Sequence, residues 1–156
     1  MNLLIAIDID GTIADAGWRH ILAGTEPNRK NWKKYKKWLK NVQSKKMLMK
    51  DKPVSGMKQF CHLVKKNAIY LTARQETYQD VTKAWLKANK FPNLKLYMRP
   101  NRCKLTAGEL KEQIILKLLK NRKFTHVIIV DDDQRGCISL VAKKNNWTML
   151  KAISGS

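Results

Sequence analysis

The opening of the chain constrains the fold most, because an apolar run of strand length, residues 3–7, leads directly into Asp-Ile-Asp-Gly-Thr at 8–12. Alternate side chains of a strand lie on the same face, so Asp8 and Asp10 are expected to converge at its carboxyl end. Two close carboxylates repel each other unless a cation or a shared proton relieves them. The pattern therefore predicts a Mg²⁺ site, a nucleophile with a neighbouring acid, or both. An acidic surface turn is the alternative, since Asp and Gly are common turn residues.

Length and composition suit one globular domain, predicted to span residues 1–156, because a chain with 44% hydrophobic residues can bury a real core. No stretch approaches the roughly 20 apolar residues that a membrane span needs, and the amino terminus lacks the cleavable run of a signal peptide. Cys61, Cys103 and Cys137 are far apart and have no metal-binding spacing. They are predicted to be buried thiols in a reducing compartment, which indicates a cytoplasmic protein without a membrane partner.

The net charge is the second strong feature. The chain has 32 Lys and Arg against 12 Asp and Glu, a formal charge of +20. Residues 19–52 contain twelve basic and two acidic residues, so half of the net charge lies in under a quarter of the chain. Such a field attracts polyanions. Nucleic acid, DNA or RNA, is therefore the first expected partner, ahead of acidic membrane surfaces. A genome biased towards lysine is the alternative explanation.

Five apolar runs are typical of strands, and helical patterns lie between the later ones. The strands are predicted at 3–7, 68–71, 94–98, 127–130 and 147–150. Apolar residues at helical spacing predict helices around 57–64, 81–88 and 110–119, and a fourth is predicted at 134–144 with Asp133 as its cap. Lys52-Pro53 is predicted to open the first of these helices. Continuous apolar strands that alternate with helices indicate an α/β fold, with a mainly parallel sheet covered on both faces.

Groups suited to phosphate or metal follow four of the predicted strands. In open sheets of this class, ligands bind at the carboxyl ends of the strands. The first strand ends in Asp8 and Asp10, the second in Thr72-Ala73-Arg74, the third in Arg99 and the fourth in Asp131-Asp132-Asp133. This agreement favours a common site over an acidic surface turn.

Residues 17–52 do not fit the alternation and are predicted to form a cap-like insert. A helix here has an apolar face and a lysine-rich remainder: Trp32, Tyr35, Trp38, Leu39 and Val42 against Lys33, Lys34, Lys36, Lys37 and Lys40. Most of the aromatic rings are predicted to pack on the main domain. The other interpretation is a basic helical cap over the active site, with lysines on phosphates and one ring stacked on a base. Binding of this helix to a membrane surface is a weaker alternative.

These motifs together resemble the haloacid dehalogenase (HAD) superfamily of Mg²⁺-dependent phosphatases. The resemblance rests on Asp-Ile-Asp-Gly-Thr at 8–12, on Thr72, on Lys111 and on Asp131-Asp132, and it covers the chain apart from the insert. It implies a Rossmann-like core with a five-stranded, mainly parallel sheet and helices on both faces. It also implies the hydrolysis of a phosphoric monoester.

The resemblance assigns a role to each motif residue. Asp8 would be the nucleophile that forms an aspartyl-phosphate, and Asp10 would protonate the leaving group and then activate water. Mg²⁺ would bind the Asp8 carboxylate, the Asp10 backbone carbonyl and one member of the Asp131-Asp132 pair. Thr72 would donate a hydrogen bond to the phosphoryl group, and Lys111 would neutralise its charge.

A closer resemblance is to the 3′-phosphatase domain of bacteriophage polynucleotide kinase. It rests on the run 71–74, on Arg99 with Lys111 twelve residues later, and on Asp131-Asp132. It implies that Arg19, eleven residues after the nucleophile, binds the substrate phosphate together with Arg74 and Arg99. Thr12 of the first motif is assigned to substrate binding with them.

The chain departs from this family in three places. Ala107 stands where the family has an acid four residues before the lysine, and Asp133 stands where an arginine commonly follows the fourth-motif acids. The insert is longer and more basic than the family pattern. No Gly-x-x-x-x-Gly-Lys-Ser/Thr phosphate loop occurs in the sequence, so no kinase half is predicted.

Each basic candidate also has a structural alternative. Arg74 could pair with Asp132 or Asp133, and Arg99 could cap a loop. Arg19 lies where the insert starts, and Lys111 lies in a segment rich in Lys and Glu, where lysines are commonly solvated.

The motifs and the charge together predict a Mg²⁺-dependent phosphatase that removes a terminal phosphate, above all the 3′-phosphate of DNA or RNA ends. The first alternative is a nucleotidase acting on (deoxy)nucleoside monophosphates. The second is a non-catalytic nucleic-acid-binding protein of the same fold. The complete set of motif residues argues against the second, since a binding module gains nothing from buried acids. The oligomeric state is left open.

Overall fold

The opening apolar run forms the central strand of a five-stranded sheet in the computed structural model, which describes residues 2–28, 30–121 and 124–153. The strands are β1 (Leu3–Ile7), β2 (Ala14–Asp15), β3 (Lys52–Pro53), β4 (Ala68–Gln75), β5 (Lys95–Arg99), β6 (His126–Asp131) and β7 (Thr148–Lys151). The sheet has the order β5-β4-β1-β6-β7, and its neighbouring strands are all parallel. The five predicted strands and the α/β fold are thus confirmed.

Helices cover both faces of this sheet. They are α1 (Gly17–Ala23), α2 (Trp32–Val42), α3 (Lys45–Leu48), α4 (Met57–Val64), α5 (Gln79–Ala88), α6 (Ala107–Asn121) and α7 (Cys137–Lys144), with a 3₁₀ turn at Glu76–Tyr78. Successive residues of a strand point to opposite faces. Accordingly, Tyr70 of β4 packs in one buried cluster with Trp85 of α5, and Leu71 packs in the other with Ile115 of α6. Within the described residues, none of the helices has the length and apolar character that a membrane span requires.

The direction in which successive strands are added to the sheet reverses between β1 and β6. After β1 the chain adds β4 and β5 on one side, and it then returns to add β6 and β7 on the other side. At such a point the loops leave neighbouring strands in opposite directions and open a crevice, where ligands bind in this fold class. Asp8 follows β1 and Asp131 ends β6, so carboxylates lie at this crevice.

The prediction for Lys52-Pro53 is wrong. These residues form β3, which pairs antiparallel with β2 through Ala14 with Pro53 and Asp15 with Lys52, and α4 begins only at Met57. The pairing joins two segments far apart in the sequence, and a local proline signal carries no information about such a contact.

The last helix begins at Cys137, three residues later than predicted, and Gly136 occupies its N-cap position. Asp133 nevertheless contributes the capping carboxylate, as expected. The Asp133 carboxylate accepts hydrogen bonds from the backbone N–H of Ile138 at 2.8 Å and of Ser139 at 3.2 Å. These bonds satisfy N–H groups of the first turn that lack a partner within the helix.

Three helices, α1 to α3, lie between β2 and β3 in the range predicted as the insert. Trp38 and Val42 are buried at the end of α2, and the Trp38 indole N–H donates to the carbonyl of Gly24 at 3.0 Å. Trp32, at the start of the same helix, remains 45% exposed. The predicted packing of the apolar face therefore holds only for the second half of the helix.

A buried ionic network fastens the insert to the sheet. Arg19 of α1 donates from Nε to Asp51 Oδ1 at 2.8 Å and from Nη1 to the carbonyl of Val42 at 2.6 Å. Asp51 Oδ2 accepts a hydrogen bond from Arg74 of β4 at 3.2 Å, and the Asp51 carbonyl accepts one from Trp85 Nε1 at 2.8 Å. Helices as short as those of the insert are not stable alone, so these contacts determine how the insert is held.

We expect Asp51→Ala to lower the free energy of unfolding by roughly 3–5 kcal/mol, because removal of one partner leaves buried charges uncompensated. Urea unfolding followed by circular dichroism measures the change. The matched control is Asp80→Ala, an exposed position in the first turn of α5, where the lost helix-dipole interaction costs at most about 1 kcal/mol. Equal losses in the two variants would contradict the structural role of Asp51.

Candidate active site

Backbone pairing carries Asp8 to the edge of the crevice. The pairing of β1 with β6 runs in register up to Ile7 opposite Val130. It continues one residue further, since the N–H of Asp8 donates to the carbonyl of Val130 at 2.9 Å. Asp8 and Asp131 consequently end two adjacent parallel strands at the same level of the sheet.

The chain then makes a sharp turn that its own backbone holds. The carbonyl of Ile9 accepts hydrogen bonds from the N–H groups of Thr12, Ile13 and Ala14, at 3.2, 3.0 and 2.9 Å. Ile9 and Ile13 are fully buried and anchor the turn in the core. Gly11 has a φ of +80°, a conformation that favours glycine. The turn therefore fixes the position of the second motif aspartate relative to the first.

Asp8, Asp131 and Asp132 form an acidic cluster in which one carboxylate oxygen of each lies within 4.8 Å of the others. Asp8 and Asp131 are buried, and Asp132 is partly buried. Lys111 of α6, itself buried, lies with Nζ 2.8 Å from Asp8 Oδ1 and 2.5 Å from Asp131 Oδ2. One ammonium group thus faces three carboxylates. The cluster has the excess negative charge and the oxygen donors that suit a divalent cation.

The electrostatics of the cluster follow from its burial. Burial raises the pKa of Asp8 to about 8, a rise that Lys111 opposes and Asp131 reinforces. Burial, and then the charge of Asp131, raise the pKa of Asp132 to about 6. Ionisation of these two carboxyl groups is therefore costly beside Asp131, and additional positive charge in the cavity would lower that cost.

Thr72 lines the cavity and Thr12 does not. The cavity, of about 180 Å³, is bordered by Asp8, Thr72 and Lys111 among others. Thr72 Oγ1 accepts a hydrogen bond from the N–H of Arg74 at 3.2 Å, so its own hydroxyl hydrogen is available for another acceptor. Thr12 is fully buried, and its Oγ1 has no hydrogen-bond partner within the described residues. The structure thus separates the two threonines that the sequence assigned to the site.

Arg19 and Arg74 both contact Asp10. Arg74 donates to Asp10 Oδ1 from Nη2 at 2.6 Å and to Oδ2 from Nε at 3.0 Å, and Arg19 Nη2 donates to Oδ1 at 2.5 Å. Both arginines are fully buried, and Asp51 bridges them from behind. Pairing of Arg74 with Asp132 or Asp133, the structural alternative, is not seen. In this geometry the arginines position Asp10, and direct contact with a substrate phosphate stays a prediction.

The arginines set the ionisation of Asp10. Burial by itself would raise its pKa, but the contacts with Arg74 and then Arg19 outweigh burial and hold the pKa well below the usual range of a carboxyl group. Asp10 is consequently ionised at neutral pH in this arrangement. Its environment is opposite to that of Asp8, although a single residue separates the two, and this difference is typical of carboxylates with different roles in one site.

Arg99 supports a loop beside the cavity. Its Nε donates to the carbonyl of Ala73 at 3.1 Å and its Nη1 to the carbonyl of Leu105 at 2.5 Å. These bonds correspond to the loop-capping alternative. Arg99 nevertheless remains partly exposed and lines a second cleft next to the cavity, so its predicted contact with substrate is still open to test.

Three residues that the sequence did not single out for the site also take part. His20 and Gln43 bring the insert to the border of the cavity, and burial lowers the pKa of His20. Asp51 pairs with both arginines behind Asp10. A weak signal for Asp51 exists in the sequence, because the segment 19–52 contains twelve basic residues and only two acidic ones, of which Asp51 is one. His20 and Gln43 have no such signal.

Comparison with known sequences gives no match: no family model and no curated protein corresponds to this chain. Solved structures do resemble it. A chain of the Pnkp1/Rnl/Hen1 complex has a TM-score of 0.69 at 16% identity, over 100% of this chain and 47% of that chain. A second structure, described as the Pnkp1/Rnl/Hen1 RNA repair complex, gives 0.69 at 15% identity, over 100% and 44%. This chain therefore spans about half the length of these two relatives.

Two further structures are matched over most of their length. A Clostridium difficile protein that carries the name of a phosphatase has a TM-score of 0.67 at 17% identity, over 99% of this chain and 86% of that chain. A haloacid dehalogenase-like hydrolase from Streptococcus pneumoniae has a TM-score of 0.67 at 14% identity, over 97% and 84%. At identities this low the likeness shows the fold alone. The chain therefore shares with these structures an α/β fold in which helices cover both faces of a parallel five-stranded sheet, as the sequence predicted.

Proposed function

We propose that this protein is a Mg²⁺-dependent phosphatase that removes the terminal 3′-phosphate from DNA or RNA ends through an aspartyl-phosphate. The observation that carries the proposal is the cluster of Asp8, Asp131 and Asp132 around Lys111, at the crevice of a HAD-like fold. Phosphoryl transfer requires a nucleophile, a proton donor for the leaving oxygen and positive groups around the phosphoryl oxygens. The cavity contains candidates for each of these.

The residues of the acidic cluster fit Mg²⁺. Mg²⁺ prefers carboxylate oxygens and commonly binds one or two of them together with substrate phosphate. Asp132 approaches the turn so closely that a Cβ on Gly11 would lie 2.0 Å from Asp132 Oδ2. Asp8, one of the Asp131-Asp132 pair and the backbone carbonyl of Asp10 would hold the ion. When bound, Mg²⁺ offsets the repulsion between the nucleophile and the anionic phosphate.

In the proposed reaction an oxygen of Asp8 attacks phosphorus, and the bond between phosphorus and the leaving oxygen breaks. Asp10 supplies the proton that the leaving oxygen needs. Water then attacks the aspartyl-phosphate, Asp10 takes up a proton from it, and inorganic phosphate leaves with Asp8 restored. Lys111 and the Thr72 hydroxyl stabilise the phosphoryl oxygens, as their positions on the cavity wall allow.

The two arginines give Asp10 its second role. In the free protein they keep Asp10 ionised, which is the form that accepts a proton from water. To donate a proton in the first step, Asp10 must first become protonated. Asp10 borders the cavity, so a phosphate anion bound there would place a like charge beside it and raise its pKa, and Asp10 would then take up a proton from solvent.

A polymeric substrate is favoured by charge. Lys33, Lys34, Lys36 and Lys37 are exposed on α2, and the insert that contains this helix reaches the cavity through His20 and Gln43. Every phosphate neutralised by lysine releases counterions and strengthens binding. Two of the similar structures belong to a complex described as acting in RNA repair, which suits a substrate with nucleic-acid ends. The free thiols of Cys61, Cys103 and Cys137 agree with the cytoplasmic location that we also propose.

A substrate panel tests the proposal directly. It compares DNA and RNA oligonucleotides with a 3′- or 5′-phosphate against nucleoside 3′- and 5′-monophosphates, each with Mg²⁺ or with EDTA. We expect Mg²⁺-dependent release of phosphate, fastest from 3′-phosphorylated oligonucleotides. Faster turnover of mononucleotides, insensitive to salt, would instead favour a nucleotidase. Binding of oligonucleotides without turnover of any substrate would favour a non-catalytic module.

Replacement of the proposed nucleophile is the sharpest mutational test. We expect Asp8→Asn to lower kcat by about 10³-fold or more, while binding of the oligonucleotide is kept or strengthened because a negative charge next to the phosphate is lost. The matched control is Asp80→Asn, which changes an exposed aspartate on α5. Turnover by the Asp8 variant at the rate of the wild type would remove Asp8 as the nucleophile.

The close approach of Gly11 to Asp132 gives a second prediction. Gly11→Ala should cost about 1–2 kcal/mol of stability through its positive φ and should also displace Asp132, so Mg²⁺ activates this variant only at higher concentration. Gly56→Ala is the matched control, since Gly56 has a φ of +76° with nothing within 4 Å of the new Cβ. Equal Mg²⁺ dependence in the two variants would separate Asp132 from the metal site.

The lysines of α2 are tested by the salt dependence of binding. Replacement of Lys33, Lys34, Lys36 and Lys37 by Gln should weaken binding of single-stranded oligonucleotides and reduce the slope of log K against log salt by about 0.7 per lost contact. The control replaces four exposed lysines at the ends of α4 and α5, ahead of the amino ends of β4 and β5: Lys65, Lys66, Lys87 and Lys90. The same slope in both variants would rule out α2 as the binding surface.

A further inference from the structure

A second cleft, of about 590 Å³, opens beside the acidic cavity. Trp32, Tyr35 and Trp38 of α2 form one wall of it. The two spaces adjoin each other, because both are lined by His20, Gln43, Ala73, Ala107 and Arg135. A molecule whose phosphate lies at Asp8 can therefore extend into this cleft without leaving the protein surface.

The aromatic side chains form a row along the cleft. The ring centroids of Trp32 and Tyr35 are 5.8 Å apart, those of Tyr35 and Trp38 are 5.9 Å apart, and those of Trp38 and His20 are 5.7 Å apart. The spacing of three residues along α2 places these rings on one side of the helix. The row runs from an exposed ring at Trp32 to His20, which borders the acidic cavity.

The two ends of this row are built differently. Trp38 is 8% exposed and its indole N–H is bonded to the carbonyl of Gly24, so this ring fixes the row to the insert. Trp32 is 45% exposed at the cleft, and burial in the core does not explain its presence there. The flat, exposed ring of Trp32, next to the ring of Tyr35 at a centroid distance of 5.8 Å, offers a stacking face to another planar group.

The charges around the cleft suit a phosphodiester chain. Arg99, Lys104 and Arg135 lie on its border, and Lys104 and Arg135 are exposed. Glu26 is also on the border and pairs with Arg135, which leaves the border with a net positive charge. Aromatic stacking combined with positive charge is the pattern by which proteins bind single-stranded nucleic acid.

We propose that this cleft binds the terminal nucleoside of a single-stranded nucleic-acid end, with its base stacked on Trp32 and Tyr35. The inference rests on the proposed phosphatase function and adds the part of the substrate next to the phosphate that is removed. A cleft of about 590 Å³ lies within the range of roughly 300–1,000 Å³ found for sites of small organic ligands. The cleft is therefore large enough to hold one nucleoside.

The geometry has a consequence for the choice of substrate. A base can stack on Trp32 only when it is unpaired and out of its own helical stack. Single-stranded and frayed ends therefore react faster than blunt duplex ends. Stacking uses the face of the ring that every base shares, so the cleft does not select one base strongly.

The test compares two single-stranded decamers that carry a 3′-phosphate, one with a normal 3′-terminal nucleotide and one whose terminal nucleotide lacks its base. The ratio of their kcat/KM values measures the contribution of the base. We expect Trp32→Ala to reduce this ratio by about 5- to 150-fold, the range found for base–aromatic stacking. Trp32→Phe retains a ring and should keep most of the ratio, and Tyr35→Leu provides a second loss of a ring.

Leu63→Ala is the control, because Leu63 is 84% exposed on α4 and does not border either cleft. Its ratio should equal that of the wild type. An unchanged ratio in both Trp32→Ala and Tyr35→Leu overturns the inference, as does a wild type that treats the two decamers alike, while the phosphatase proposal stands. If the wild type releases no phosphate at all, the proposed function fails. The ratio of the dissociation constants of the two decamers, measured by fluorescence anisotropy, then tests the cleft independently.

Discussion

The parallel pairing of β1 with β6 is the constraint on which the site depends. It brings Asp8 and Asp131 to the same level at the carboxyl ends of two adjacent strands, where Lys111 lies between them. Carboxylates resist such an approach in a buried place. The hydrogen bonds of the sheet and the apolar packing on both of its faces supply the free energy that holds them together. Cooperative folding of the whole sheet thus maintains a local arrangement that is unfavourable by itself.

The insert and the second motif aspartate form one structural unit. Arg19 comes from the insert and Arg74 from the sheet, and both contact Asp10 on one side and Asp51 on the other. Fully buried guanidinium groups are tolerated only when carboxylates pair with them. The four charges therefore depend on one another. The position of the insert, which contributes the α2 wall of the aromatic cleft, and the ionisation of Asp10 follow from the same network.

Local patterns predicted the fold well, and partners distant in the sequence were the main source of error. Apolar runs located all five strands of the sheet, because the signal of each strand is contained in its own residues, and the central strands β1, β4 and β6 are buried on both faces. Lys52-Pro53 was assigned to a helix start, since its strand pairing depends on β2, nearly forty residues earlier. Arg19 and Arg74 were assigned to the substrate; the structure shows that they contact Asp10, and their contact with a substrate phosphate stays a prediction. The buried carboxylate of Asp51 pairs with both guanidinium groups and stabilises them in the interior.

The amino-acid sequence by itself determined the alternation of strands and helices, the acids at the strand ends and the basic character of the insert. These properties depend on the order of residues within short stretches of sequence, so they can be recognised before the tertiary structure is known. Only the tertiary structure decided that Thr72 borders the cavity while Thr12 is enclosed, and that Trp32 lines a cleft that adjoins the acidic site. The physical reason is that burial, the pairing of charges and the shape of a cavity depend on contacts between segments that are far apart in the sequence. The residues of either segment alone do not show which partner it will meet.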